Sequence, residues 1–316
     1  MAPSLDDITA ARLRIAGDVV RTPLVRLPVE DAPAEIYLKL ENLQPIGSFK
    51  LRGPVNAMRG APPGALAGGV YTASAGNHGQ GVAWAARTLG VPCTVFVPHH
   101  APATKVDAMT RLGARVVKLP LDEWWAIIER HERPGTPGWF IHPAADHDVI
   151  AANGTIGVEI LADLPDLDAV IAPYGGGGLS CGIAAALRGL KSTAPVYACE
   201  VETSTPLTAS LAAGKALTVE RTPSFVDGIG GKSVLPDMFP MARALLAGTV
   251  VVSLEQITAT IRMLVERTRT IAEGAGAASV AAALAGSVPG RKIVCVVSGG
   301  NLDTPILTRI LRGEMP

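Results

Sequence analysis

Aromatic side chains make up only 4% of the 316 residues, and there are only four cysteines. Neither sign of charge is in excess, with 28 Lys plus Arg against 28 Asp plus Glu. A chain with no basic stripe and no acidic tail is not expected to bind nucleic acid. Cys93, Cys181, Cys199 and Cys295 include no CxxC pair, and three of them stand in apolar strand-like runs. That is the pattern of small buried residues in a reducing compartment. The six histidines form no HExxH or comparable zinc pattern, and His99 and His100, just after Pro98, are expected in a loop. No apolar run reaches the roughly 20 residues that span a bilayer. The first residues, MAPSLDDITAARLRIAGDVV, read as an amphipathic helix from about Asp6 and lack the basic-then-apolar order of a signal peptide. The expectation is a cytoplasmic protein with no membrane partner.

Small aliphatic residues fill the space that aromatics leave. Hydrophobic residues are 48% of the chain, enough for a large core in one domain or two unequal ones. The short Val- and Ile-rich runs at 36–40, 94–97, 115–119, 169–172, 196–199, 250–252 and 293–297 do not alternate, as expected of strands covered on both faces. Helical patterns lie between them: 79–89 stopping at Gly90, 104–112 stopping at Gly113, 179–190, and 257–268 behind a Ser253 to Gln256 capping-box spacing. This alternation predicts an α/β fold with mostly parallel sheets flanked by helices. Residues 69–146 have their own strand–helix alternation and are expected to form a small inserted domain. Residues 1–68 and 147–316 would then form the large one.

The informative residues fall just after strands and at helix starts, where such folds place their sites. Gly175, Gly176, Gly177 and Gly178 follow the strand DAVIAPY and precede a helix. Side-chain-free backbone at a helix N-terminus can aim several N–H groups at one anion, and a phosphate is the natural guest. The run is neither a GxxxxGK[ST] loop nor a GxGxxG fingerprint, so a nucleoside triphosphate or NAD has little support. Lys50 sits in LENLQPIGSFKLRG. Ser48 is expected to cap a helix and place Lys50 in its first turn, where the positive end of the helix dipole lowers an amine's pKa. A neutral amine is what Schiff-base chemistry requires.

Taken in order, SFKLRG, SAGNHGQG, GGGGL, EGAGA and SGGN resemble the fold-type II pyridoxal-phosphate (PLP) enzymes, the tryptophan synthase β-like fold. The resemblance runs from about residue 20 to about 303 and is strongest to the threonine/serine dehydratase and serine racemase group. It implies two α/β domains with pyridoxal 5'-phosphate in the cleft between them. Lys50 matches the Schiff-base lysine and Phe49 a residue packed on the pyridine ring. Asn77 matches the partner of the ring's phenolic oxygen, and Gly175 to Gly178 with Leu179 match the phosphate cradle. Glu273 matches a position near the ring, and Ser298 the hydroxyl at the pyridine nitrogen. Ser74, Ala75, Gly76, Asn77 and His78 match the loop that receives the substrate carboxylate. A neutral Ser298 would leave the ring nitrogen largely unprotonated, which favours β-elimination over transamination.

Two departures from the family pattern carry meaning. Racemases of the group have a serine at the position of Ala75, and alanine moves no proton. Some relatives bind a divalent cation through a carboxylate matching Glu200 and a second acid, but Pro206 aligns with that second acid here; Glu202 is the substitute available. A cation at Glu200 is therefore an open expectation, beside that of a charge at a strand end. The chain ends soon after SGGN, so feedback control through a C-terminal regulatory region is not expected. The reading is a lyase of amino-acid metabolism that dehydrates L-threonine, L-serine or a related β-hydroxy amino acid to a 2-oxo acid and ammonia, as a homodimer or higher homo-oligomer. The alternatives are a racemase or β-replacement enzyme of the same fold, and a non-catalytic phosphate- or nucleotide-binding protein.

Overall fold

A computed structural model describes residues 1–101 and 103–316. Its strands are β1 (Leu24–Arg26), β2 (Glu35–Lys39), β3 (Val70–Ala73), β4 (Cys93–Pro98), β5 (Arg115–Leu119), β6 (Trp139–Phe140), β7 (Ala169–Pro173), β8 (Val196–Val201), β9 (Gly248–Val252) and β10 (Lys292–Val296). The helices are α1 (Leu5–Arg14), α2 (Arg52–Arg59), α3 (Asn77–Leu89), α4 (Ala103–Arg111), α5 (Leu121–Arg130), α6 (His147–Asp163), α7 (Gly178–Gly189), α8 (Pro206–Ala213), α9 (Phe239–Leu245), α10 (Leu254–Thr268), α11 (Gly274–Leu284) and α12 (Thr304–Leu311).

Two sheets organise them. One has the order β1-β2-β10-β7-β8-β9, the other β5-β4-β3-β6. Every neighbouring pair is parallel except β1 with β2. The non-alternating apolar runs explain this: all five residues of β7 and all four of β3 are buried, as sheets covered on both faces require. The four-stranded sheet takes its strands from one continuous stretch of chain, and the six-stranded sheet takes its strands from either side of it.

Local signals set several boundaries. Ser4 and Asp7 make a reciprocal capping box on α1, and Ser253 and Gln256 make another on α10. Gly90 closes α3 in the left-handed conformation, φ 68°. The helices α6 and α11 have no expected counterpart. Both are buried nearly all round, from Val149 to Gly157 and from Gly274 to Ala283, so neither shows the one-sided stripe that betrays a surface helix. The close approach of α6 to α7 depends on Gly182, where a methyl group would fall 2.6 Å from the Ile150 carbonyl oxygen. All four cysteines are buried and free.

Candidate active site

The chain reaches Lys50 in extended form. Ser48 has φ −162° and ψ 158° and forms a bridge with Gly299, while the Phe49 N–H donates to the Ser298 carbonyl at 3.0 Å. Phe49–Leu51 is a single 3-10 turn, and α2 begins only at Arg52. The expected Ser48 cap is therefore absent. Its hydroxyl is buried and has no partner among the described residues, because the strand-like pairing with Gly299 fixes Ser48 away from the helix N–H groups. Lys50 Nζ donates to the Pro143 carbonyl at 2.6 Å and lies 5.2 Å from the centre of the Phe49 ring. Burial pushes its pKa down to about 8, with the Glu273 carboxylate pulling the other way. The direction matches expectation; the cause is burial, where a helix dipole was expected.

The glycine run forms the turn from β7 into α7. Gly177, the residue before the helix, has φ 89°, a conformation that only glycine adopts cheaply. A methyl group on Gly175 would fall 2.8 Å from the Gly228 carbonyl oxygen, one on Gly176 2.4 Å from Ala144 Cβ, and one on Gly178 2.9 Å from the Ala144 carbonyl oxygen. The turn is thus wedged between residues 144 and 228 and has no room for side chains. The N–H groups of the first turn of α7 point out of the helix without intrahelical acceptors. Leu179 is buried in the same hydrophobic cluster as Phe49. Because Lys50 meets Pro143 and the glycine turn meets Ala144, one short segment separates the amine from the anion cradle.

The other matched residues close the ring. Glu273 Oε1 accepts from Asn77 Nδ2 at 2.7 Å, and Asn77 Oδ1 accepts from Asn301 Nδ2 at 2.8 Å. Asn301 Nδ2 also donates to the Ile46 carbonyl at 2.8 Å, tying the Ser298–Asn301 segment to the Lys50 segment. Burial, then Asp227, raises the Glu273 carboxyl to about 7. A methyl group on Gly299 would lie 2.5 Å from Glu273 Oε1, so the backbone passes directly over that carboxylate. Ser298 is buried beside this crossing. Ser74 Oγ accepts from the Gly76 N–H at 3.3 Å, and Ala75 and Gly76 are partly exposed ahead of α3. His78 is buried; its Nε2 lies 3.1 Å from the Ile141 carbonyl and its Nδ1 has no partner among the described residues. Burial, with Lys50 adding to it, holds that imidazole well below its ordinary pKa.

Glu200 does not join this group. Its carboxylate accepts from the Leu207 N–H at 2.7 Å and from the Thr208 N–H and hydroxyl at 2.8 and 2.6 Å, the first turn of α8. Glu202 accepts from the Leu254 N–H at 2.8 Å. No group of three or more His, Cys, Asp or Glu side chains stands together among the described residues. A depression of about 390 Å³ along α10 and α12 likewise lies apart from every residue of the ring.

Three contributors escaped the sequence reading. Asn301 was visible in SGGN but had no assigned role. The His142–Ala145 turn carries no motif of its own. Arg52, in SFKLRG, anchors a buried charge cluster: it donates to Glu41 at 2.7 and 2.8 Å and to Glu159 at 2.7 and 2.9 Å, while Lys39 Nζ donates to Glu159 at 2.6 Å. Charged residues in a β-strand and three helical segments give no local hint that they converge.

A flat ring with an anionic arm suits this arrangement. The glycine turn is free of side chains, opens α7 with first-turn N–H groups that have no intrahelical acceptor, and lies across residues 143–144 from a lysine amine; Ser48 Oγ adds a buried hydroxyl without a partner among the described residues. The family model described as pyridoxal-phosphate dependent enzyme matches residues 15–299. The chain belongs to this family. Relatives of this PLP enzyme include an L-threonine ammonia-lyase from Thermotoga maritima, 39% identical over 98% of this chain and 78% of the relative. A catabolic L-threonine dehydratase from Escherichia coli is 36% identical over 97% and 95%. Among solved structures, a T.th. threonine deaminase superposes with a TM-score of 0.84 at 36% identity, covering 95% of this chain and 99% of that one. Maize serine racemase superposes with a TM-score of 0.90 at 30% identity, covering 99% and 98%.

Proposed function

We infer that the chain is a PLP-dependent ammonia-lyase that converts L-threonine, L-serine or a related β-hydroxy amino acid to a 2-oxo acid and ammonia. The observation that carries the reading is the placement of a half-buried lysine amine, its pKa near 8, across one short turn from a side-chain-free glycine turn at a helix start, which suits a phosphate. Gly175 to Gly178 and Leu179 would hold the phosphate, Phe49 and Asn77 the ring, Ser298 the ring nitrogen, and Lys50 the aldehyde carbon. Bound there, PLP supplies an electron sink for the bonds at the substrate Cα.

The chain's own residues supply the rest. An amine whose pKa lies near 8 is neutral in a useful fraction at physiological pH, and Lys50 Nζ takes the Cα proton as general base. The loop 74–78 offers hydroxyl, amide and backbone N–H donors to the substrate carboxylate. Asn77 is held for this work by Glu273 on one side and Asn301 on the other. Ala75 leaves the face opposite Lys50 without a proton donor of its own, so elimination outruns inversion of Cα. Glu200 acts as the cap of α8, and a divalent cation there would have to displace three existing hydrogen bonds. The small unit, about residues 69–146, carries the substrate loop and the remainder carries the cradle. We also take the working form to be a homo-oligomer in the cytoplasm.

The deciding experiment is release of 2-oxo acid and ammonia from a panel of β-hydroxy amino acids, with chiral analysis of the residual substrate. L-Threonine or L-serine is expected to yield oxo acid well ahead of any D-enantiomer. Accumulation of D-serine at a rate comparable with pyruvate would favour the racemase reading and require a second base other than residue 75.

A further inference from the structure

The turn that meets both the Lys50 amine and the glycine cradle is itself built on one imidazole. His142 is 2% exposed. Its Nδ1 accepts from the Ala144 N–H at 3.0 Å and the Ala145 N–H at 2.7 Å, and its Nε2 lies 3.2 Å from the Ile128 carbonyl. A ring nitrogen that accepts two N–H groups carries a lone pair, so the proton resides on Nε2 and is donated to Ile128. The ring is therefore neutral and in one tautomer. Along the chain, Pro143 lies between His142 and the two residues whose N–H groups it accepts, and the Pro143 carbonyl holds Lys50 Nζ at 2.6 Å. Ala144, gripped by its N–H, is the residue against which Gly176 and Gly178 close.

We propose that His142 is a positioning residue for the PLP reaction: its Nδ1 pins residues 143–145 and so sets where the free Lys50 amine rests relative to the glycine cradle. The proposal rests on the ammonia-lyase reading above. Its physical basis is that neither Pro143 nor Ala144 has a polar side chain of its own with which to hold the turn. Without the acceptor, the buried Ala144 N–H and the part-buried Ala145 N–H are left unpaired, a cost that backbone movement relieves. When Pro143 moves, Lys50 Nζ loses the partner it has in this structure, and Gly176 and Gly178 lose their backing. The titratable groups facing His142 are His131, whose ring centre is 4.3 Å away, Lys50 and His78; Phe140 meets it edge-on at 5.8 Å. None of these is a carboxylate that would stabilise an imidazolium, and burial, followed by His131, pushes the His142 pKa down to about 3.

The test compares His142→Ala with His142→Asn, whose side-chain oxygen restores an acceptor close to the ring nitrogen's place. The readout is the pH profile of Lys50 arylation by trinitrobenzenesulfonate in cofactor-free protein, followed by peptide mapping. His142→Ala is expected to displace the midpoint of that profile by about one pH unit, a tenfold change in reactive amine at neutral pH. His142→Asn is expected to return it towards the parent. In the loaded enzyme the alanine variant should lose kcat by about tenfold with a smaller change in KM, as loss of positioning rather than binding predicts. A folded His142→Ala protein that labels Lys50 with the parent's profile overturns the proposal. Should the alanine variant not fold, 15N spectra of histidine-labelled parent decide: Nδ1 unprotonated and Nε2 protonated from pH 5 to 8 supports it, and the reverse tautomer or an imidazolium overturns it. The ammonia-lyase reading is judged separately, by borohydride reduction of the PLP-loaded parent and by its oxo-acid release.

Discussion

Lys50 and Arg52 are two residues apart and both are enclosed, yet they meet opposite fates. Arg52 faces two carboxylates, Glu41 and Glu159, in four hydrogen bonds, with two more to Thr155 and the Val20 carbonyl, and with Lys39 the cluster holds two cations against two anions. Burial works against the charged guanidinium, but the carboxylates outweigh it and raise its pKa. Burial likewise works against Glu41, and Arg52 outweighs it and holds that carboxyl below its ordinary range. Lys50 Nζ donates to the Pro143 carbonyl, the Glu273 carboxylate does not offset its burial, and burial wins. One cation is locked on as scaffold; the other is left close to neutrality, where it can exchange protons. A single 3-10 turn, Phe49–Leu51, leads from one to the other.

Substitutions at the two positions should separate along that line. Lys50→Met is expected to reduce oxo-acid release by at least about 10³-fold, since general base catalysis alone contributes 10² to 10⁴. Its urea midpoint should be unchanged or higher, because a poorly solvated amine is removed. Retained turnover would show that another amine does the chemistry and would end the contrast. Arg52→Met should do the reverse. It leaves two buried carboxylates with one ammonium and is expected to cost about 3–5 kcal/mol in urea denaturation. A loss under about 1 kcal/mol would mean the cluster is no scaffold.

Acid sharpens the comparison from the site's side. His142 and His78 are both held neutral by burial, whereas the same side chains in the unfolded chain take up a proton near pH 6.5. The unfolded state then binds more protons than the native state, so stability falls as pH drops below about 6.5, by about 1.4 kcal/mol per pH unit for each imidazole. Urea titrations at pH 7, 6 and 5 check this, and His142→Asn should remove its share of the slope. The smallest effect belongs to Thr22→Val. Thr22 Oγ1 donates to Glu41 at 2.5 Å, and its loss is expected to cost about 1–2 kcal/mol with turnover unchanged. A drop in turnover larger than the drop in stability would show that the cluster tunes the chemistry as well as the fold.

Much of this molecule was legible in advance, for reasons that differ by element. The strands β4, β7, β8 and β10 were readable because strands covered on both faces are largely apolar runs. The helix α10 was readable because its capping box is a four-residue signal. By contrast α6, with 17 residues the backing of the site, has no polar face to mark it. Ser48 misled because serine before a helix is ordinarily a cap, whereas here it is claimed by pairing with Gly299. Glu200 reads equally well from sequence as a ligand or a strand-end charge, and its bonds to Leu207 and Thr208 make it a cap.

The amino-acid sequence by itself determined what is local in this protein: parallel strands, a side-chain-free turn at a helix start, and a lysine in an apolar loop. Periodicity, backbone freedom and side-chain chemistry act within a few residues, so they can be read along the chain. Only the tertiary structure decided which charges are quenched and which are left reactive. Lys50 finds its carbonyl 93 residues away, and Arg52 finds Glu159 107 residues away. A protonation state depends on burial and on partners in space, and neither is a property of neighbouring letters.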